Sequence, residues 1–407
     1  MREYDPRSFG AAGDGRTKDT EALQNCLDAC ARTGGRVVLA HGTFLTGTLF
    51  LRENTELHLA SDGVLLGSPD CADYPEFEKH YANDAFMPRR QGSCLLFAER
   101  ACGIRLTGTG VIDGNGAHFV ERVPEGERYW MPYRRIKAPT PPRLCFFVGC
   151  RDVRVEQITV KDPPAAWSFW ISDCEDVVFE GTKIRANLAY PNNDGIHLNS
   201  CRRVTVTHCD IACGDDCIVV RANNATLPEN HVCEQVTVSD CLLSSRSAAI
   251  RVAWVNDGTI RDCRFSDLTV KDATTGVSLY LPSPKDAPTD VGREETTVES
   301  MVFERIRMER ILDCPLLFYV DPDPETRVKR ISGLRFSDVT AACLHLPLLR
   351  GRRDHPITDV TFERCSCTLF DRDELPEGTH LGAVQSYGVP KDQFVHSFVE
   401  IKGELLC

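Results

Sequence analysis

Two short segments carry the residues best suited to chemistry. Asn192-Asn193-Asp194-Gly195-Ile196-His197-Leu198 is followed one coil later by Gly214-Asp215-Asp216-Cys217-Ile218-Val219-Val220. Both run from a carboxylate through a small residue to Ile-x-aliphatic, and Asp194 and Asp216 are 22 residues apart, the length of one turn in a repeating chain. Asp194, Asp215 and Asp216 therefore converge on one patch, where one group protonates a leaving oxygen and another activates a water. An aspartate at a strand start is most simply a turn former. An adjacent pair stacked on a third is different, because like charges disfavour each other's ionised forms and a fold without use for them avoids the arrangement. Neighbouring strand residues face opposite ways. Asp215 and Asp216 thus share the cleft only if the backbone bends at Gly214.

Aligning the aliphatic cores gives the rungs Phe169-Trp170-Ile171, Ile196-His197-Leu198, Ile218-Val219-Val220, Ile250-Arg251-Val252 and Val277-Ser278-Leu279. The middle residue of each points outward. Ser172, Asn199, Arg221, Ala253 and Tyr280 follow two positions after that column. With rungs about 4.8 Å apart, the aspartates, His197, Arg221, Arg251 and Tyr280 are expected on one surface, with Asn192 at its edge. His197 is predicted to contact substrate. Arg221 and Arg251 are either substrate or aspartate contacts, or solvated face residues. Trp170 is either a sugar-stacking platform or filler against a nearby insertion. Asp321 and Asp323 read as a turn.

The elements that position these residues repeat. Cys150-Arg-Asp-Val-Arg-Val is echoed at Cys174, Cys201 and Cys233, at spacings of 24, 27 and 32 residues, and a second cysteine recurs at Cys209, Cys241 and Cys263. Each unit is a short alternating strand bounded by polar turns, and none buries its apolar face alone. Stacking makes a continuous core, and such periods predict an all-β chain folded as a parallel β-helix, a single domain over 1–407. Leu23, Cys26, Leu27 and Cys30 follow helical spacing, with Asp19 or Thr20 as N-cap and Gly34 past the end. That helix, within a cap of about residues 1–50, would cover the open end of the solenoid. The stretch 117–142 breaks the repeat with Tyr129, Trp130, Tyr133, arginines and five prolines, and is expected to wall a cleft. The segment 370–407 closes the other end.

Composition narrows the function. The net charge of −12 argues against nucleic acid and weighs against a polyanionic substrate. No 18-residue apolar stretch predicts a membrane span. Met1-Arg2-Glu3-Tyr4-Asp5-Pro6 lacks the apolar core of a signal peptide, so the expected compartment is the reducing cytoplasm. The twenty cysteines then act mostly as small buried hydrophobes. No Cys-x-x-Cys pair or ordered His partner marks a metal site, and no cofactor is expected.

At this point the chain resembles the polygalacturonases, family 28 of the glycoside hydrolases. The opening Phe9-Gly10-Ala11-Ala12-Gly13-Asp14-Gly15, with Asp19 and Gln24, is similar to the first coil of pectin-degrading β-helices. Residues 142–150, then Pro163-Pro164-Ala165-Ala166-Trp167 and Cys174, resemble the approach to the family's active site. Asn192-Asn193-Asp194-Gly195-Ile196 resembles its Asn-Thr-Asp-Gly-Ile motif, and Gly214-Asp215-Asp216-Cys217-Ile218 matches Gly-Asp-Asp-Cys-Ile. The resemblance, spanning about residues 5–370, implies a right-handed parallel β-helix and hydrolysis with inversion. Asp215 would be the general acid, and Asp194 and Asp216 would activate water. Two family motifs differ: Ser247, Ala248 and Ala249 stand where the family has Gly-His-Gly, and Ser278, Leu279 and Tyr280 where it has the uronate-gripping Arg-Ile-Lys. An anionic sugar would lose charge-assisted bonds there. The expected substrate is therefore a small glycoside or oligosaccharide losing a terminal neutral sugar (rhamnose, apiose, arabinofuranose or galactose) by exo action. A galacturonide hydrolase gripping uronate through Arg251 and Arg221, and a non-catalytic carbohydrate-binding β-helix, are the alternatives. Oligomeric state is left open, with the apolar segment from Phe394 to Cys407 either packing on a partner or closing the helix.

Overall fold

Apolar residues two apart recur at the same place in successive coils and stack into columns. Val153 and Val155 pair in register with Val177 and Phe179, these with Val204 and Val206, and these with Val236 and Val238. All are buried, while most of the residues between them are exposed or half-buried. The alternation thus gives each strand one dry and one wet face. The computed structural model describes residues 2–75, 93–127, 129–136, 143–288, 290–383 and 390–407. It is all-β, a right-handed parallel β-helix with an N-terminal helix.

The repeated cysteine marks a corner. Cys150, Cys174, Cys201 and Cys233 are buried. Two residues after each, Asp152, Asp176, Arg203 and Gln235 take left-handed backbone angles, with φ of 52°, 57°, 55° and 58°. At this corner a residue in the left-handed region turns the chain in each coil. A thiol fits the tight corner inside it. Deeper in the core, Phe265, Phe303, Phe336 and Phe362 occupy one column, with successive ring centroids 5.0, 4.7 and 5.2 Å apart. All twenty cysteines are free thiols.

The helix Thr20–Thr33 buries Leu23, Cys26, Leu27 and Cys30, as its spacing predicts, and Gly34 follows it at φ 72°. Asp19 occupies the N-cap position without capping. Its carboxylate accepts instead from the Ala12 and Gly13 N–H groups at 2.7 and 3.0 Å, tying the first coil to the helix. At the far end Val395–Ser397 and Val399–Leu406 each add a parallel strand to the two sheets. Among the described residues no helix is long and apolar enough to cross a membrane.

The second, 11-stranded parallel sheet includes Phe169–Ser172, Ile196–Asn199, Ile218–Arg221, Ala248–Val252, Thr275–Leu281, Leu316–Val320 and Leu348–Arg350. Its register aligns Phe169, Ile196, Ile218, Ile250 and Val277, matching the rungs read from sequence. The first three of these strands are buried at every position. Their outward face is therefore covered too, and its polar side chains need partners.

Candidate active site

The acidic pocket lies on that covered face, at the entries to Ile196–Asn199 and Ile218–Arg221. Gly214 makes the approach possible, because a Cβ there would sit 2.1 Å from the Tyr190 carbonyl. A Cβ on Gly195 would meet the Cys217 carbonyl at 2.4 Å. Asn193 locks the two turns together: its Oδ1 accepts from Gly214 N–H at 2.7 Å and its Nδ2 donates to Asn187 O at 2.9 Å. Gly195 N–H then donates to Asp216 O at 2.9 Å, and Ile196 N–H to Cys217 O at 2.8 Å. The chain bends at Gly214 between the strands Asp210–Cys213 and Ile218–Arg221, so Asp215 and Asp216 both reach the same cavity as the sequence requires. That cavity, of about 150 Å³, is lined by Trp167, Asn192, Asp194, His197, Asp215, Asp216, Val219, Arg221, Arg251, Trp254 and Asp290.

The three carboxylates have different surroundings. Asp215 Oδ2 accepts from the backbone N–H and Nδ2 of Asn192, at 3.1 and 3.2 Å. Burial, then the neighbouring Asp216 charge, pushes its carboxyl up to about 7. Asp216 is held on both oxygens. Arg251 donates from Nε to Oδ2 and from Nη2 to Oδ1 (3.1 Å), and Ala248 N–H donates to Oδ1 at 2.9 Å. Asp194 Oδ2 faces His197 Nδ1 at 3.4 Å, whereas its buried Oδ1 has no hydrogen-bond partner. Burial, reinforced by Asp215 and Asp216, holds the Asp194 carboxyl well above the usual carboxylate range. Arg251 Nη1 is the second buried polar atom of this pocket without a partner. A buried donor and acceptor left unpaired are costly, and a sugar or water entering the cavity would satisfy both.

His197 lies under this cluster rather than on open surface. Its ring stacks on Trp167 at 3.8 Å. Burial, with the Arg221, Arg143 and Arg251 cations, keeps it well below the ordinary imidazole range and hence neutral. It positions Asp194 and shapes the cavity floor. Asn192, expected at the edge of this surface, donates to Asp215 from its backbone N–H and its Nδ2.

Three expectations need correction. Trp170 is no sugar platform: it stacks on Phe146 at 4.2 Å, is capped by the Arg143 guanidinium at 4.3 Å and is 4% exposed. The outward face of its strand is roofed, and the half-buried Trp167 reaches the cavity in its place. Tyr280 stands outside the pocket, behind Trp254, with ring centroids 5.5 Å apart. Arg221 does not touch the three aspartates and is not free to grip substrate. Its Nε and Nη2 bind Asp257 at 3.0 and 2.7 Å and its Nη1 binds Asp290. Asp321 and Asp323 do form a turn, in which Asp323 N–H donates to Asp321 Oδ1 at 2.9 Å.

Sequence reasoning missed Asp257, Asp290, Trp254, Arg135 and Arg143. Asp290 arrives from a loop 69 residues beyond Arg221, and no local pattern announces it. Arg135 belongs to the stretch 117–142, of which residues 128 and 137–142 lie outside the described residues. There Val120–Arg122 and Tyr133–Arg135 form a small antiparallel hairpin. Tyr133 packs on Tyr190 at 5.2 Å, and Arg135 Nε donates to Ala165 O at 2.5 Å. Asp194 and Asp215 are close enough to favour the Arg135 charge, although burial lowers its pKa overall.

The Arg221–Asp257 pair is buried on both sides, at 3% and 0% side-chain exposure. Arg221→Met should therefore destabilise the protein by roughly 3–5 kcal/mol, the cost of stranding a buried carboxylate. A urea-unfolding midpoint within error of wild type would show that the pair is not required.

Among the described residues no group of three or more His, Cys, Asp or Glu is arranged to hold a metal ion. Residues 90–277 match the profile of glycosyl hydrolases family 28. A probable polygalacturonase of Vitis vinifera is 26% identical over 67% of this chain and 55% of its own length. An exo-poly-alpha-D-galacturonosidase of Dickeya chrysanthemi is 27% identical over 52% of this chain and 40% of its own. The chain thus spans about half the length of these curated relatives. A hyperthermoactive exopolygalacturonase from Thermotoga maritima shares the fold, with a TM-score of 0.72 at 19% identity, covering 99% of this chain and 92% of that one. The matched segment contains all three aspartates and the motifs that bend them into one cavity, and over that segment this β-helix is similar to glycosyl hydrolases family 28.

Proposed function

We propose that the protein hydrolyses a glycosidic bond in pectic oligosaccharides. The observation that carries this is the pairing of a carboxyl poised near neutrality, Asp215, with the unpartnered acceptor Asp194 Oδ1 and the unpartnered donor Arg251 Nη1 in one small cavity. Asp215 gives its proton to the glycosidic oxygen as the bond to the anomeric carbon breaks. A water attacks that carbon from the opposite face and passes a proton to Asp194 Oδ1. Asp216, paired to Arg251, adds negative charge beside the positive charge developing on the sugar ring. The outcome is inversion at the anomeric carbon. The polygalacturonases among its relatives favour a galacturonide in the substrate.

A second reading concerns the sugar that leaves. Arg221 is fully engaged by Asp257 and Asp290, and two of the three nitrogens of Arg251 point at Asp216 or Ser247. A single guanidinium nitrogen then remains for a substrate carboxylate, and a neutral terminal sugar fits that supply of charge. Oligogalacturonides and aryl glycosides of neutral sugars, incubated with the protein and followed by product chromatography, test both readings. Release of galacturonate establishes the first. Turnover of one neutral glycoside, with oligogalacturonides inert, establishes the second. No turnover of any substrate, with binding retained, leaves a carbohydrate-binding β-helix and defeats the hydrolase.

A further inference from the structure

We propose that the protein holds a remote carboxylate of its oligosaccharide substrate at a basic subsite three rungs beyond the catalytic pocket, built by Arg350 and Arg353. This inference rests on the pectic reading above and extends it to the far end of the substrate. An aromatic path leads from one site to the other. Trp254 lines the catalytic pocket and packs on Tyr280 at 5.5 Å. Tyr280 packs on Tyr319 at 5.7 Å, and the Arg350 guanidinium lies over the Tyr319 ring at 5.8 Å. Tyr280, Tyr319 and Arg350 are register partners on consecutive parallel strands. Residues in one such column project to the same side of a sheet, so the path faces the same way throughout.

Three rungs at about 4.8 Å separate the level of Arg251 from that of Arg350, roughly 14 Å. A few sugar units span that length, and their apolar C–H faces suit the half-buried rings of Trp254 and Tyr280, whereas Tyr319 is buried and backs the Arg350 guanidinium. At the end of the path an open cavity of about 590 Å³ is lined by Tyr319, Arg350, Arg352, Arg353 and Phe398, among others. Its arginines differ. Arg352 is committed to Asp354, at 3.0 and 2.7 Å, and to the Asp323 and Thr326 carbonyls. Arg350 and Arg353 form no ion pair among the described residues and lie over the rings of Tyr319 and Phe398. Other exposed arginines of this acidic chain, Arg203, Arg305, Arg310 and Arg364 among them, each meet a carboxylate. Arg350 also hydrogen-bonds the Tyr319 side chain, but neither guanidinium meets a carboxylate among the described residues, and two such groups on aromatic faces suit a planar carboxylate.

The test measures binding of oligogalacturonides of increasing length to the catalytically silenced Asp215→Asn protein by calorimetry. Their methyl-esterified counterparts are run in parallel. A charge-assisted bond is worth about 1.5–3 kcal/mol. Affinity should thus rise roughly tenfold or more once the oligomer is long enough to span the path, and esterification should abolish the rise. Adding Arg350→Ala with Arg353→Ala, or the larger Arg350→Gln with Arg353→Gln, should remove the same increment. A length-dependent gain that survives in both pairs of variants, or no length dependence at all, overturns the remote subsite alone. Failure of every oligogalacturonide to bind overturns it together with the pectic reading.

Discussion

Asp215→Asn should lower kcat on an oligosaccharide by about 10²–10⁴-fold, the usual contribution of a positioned general acid. The variant keeps the shape of the side chain and can keep the hydrogen bond from the Asn192 backbone N–H to Oδ. It removes the proton that the leaving oxygen needs. An aryl glycoside, whose phenolate leaves without protonation, should lose much less, and that difference separates a missing acid from a damaged site. The pH profile carries a second signature. Burial and the Asp216 charge hold the Asp215 carboxyl at about 7, so wild-type activity on the oligosaccharide should fall as pH rises through neutrality. That alkaline limb should be absent from the variant's residual activity. Stability follows the same group. The folded carboxyl holds its proton up to about 7, whereas the unfolded one releases it near 3.9. Between those values the folded state binds more protons, and stability falls as pH rises through the window. In Asp215→Asn the fall should be shallower, measured by urea unfolding at pH 5 and 8. Equal losses on both substrates, with an unaltered alkaline limb, would remove Asp215 from the role of acid.

The coil repeat was legible because packing and sequence share one period. Each Val-x-Val unit must face the core, and the register of Val153, Val177, Val204 and Val236 follows. The convergence of the three aspartates was legible for the same reason, since residues one coil apart are neighbours in space. What the sequence did not show is what covers the outward face. Alternation places Trp170, His197 and Arg221 outside the core correctly, yet all three are nearly inaccessible because side chains of the neighbouring strand and of loops cover them. Arg143 and Phe146 seal Trp170, and Asp290, from a distant loop, seals Arg221. Phe146 is the register partner of Trp170 one coil away and follows the coil period, but Asp290 comes from a loop that shares no period with Arg221, so spacing carries no trace of that contact. Arg251 was the ambiguous case. Its column was right, but whether it served substrate or carboxylate depended on the reach of its side chain. The structure shows two of its nitrogens on Asp216.

Arg251→Met should therefore change both stability and pH dependence, in a direction fixed by the charges. Arg251 is buried and bidentate on Asp216. Removing it strands a carboxylate in a site shared with two others, at a cost of roughly 3–5 kcal/mol. It also removes the cation that opposes the upward push on Asp194 and Asp215. Both carboxyls should then hold their protons to higher pH. Asp194 must be ionised to accept a proton from water, so the acid limb of kcat should move up. Asp215 must be protonated, so the alkaline limb should move up as well. The bell shifts as a whole instead of only shrinking. Arg251→Lys keeps the charge but loses the two-pronged geometry, and should recover most of the limb positions with only part of the stability. Asp216→Asn combined with Arg251→Met removes both charges. If the pair is coupled as the structure shows, the double variant should be more stable than Arg251→Met alone, a non-additivity visible in a double-mutant cycle. Additive losses with an unmoved pH profile would mean that Arg251 fills space beside Asp216 and does not set its charge.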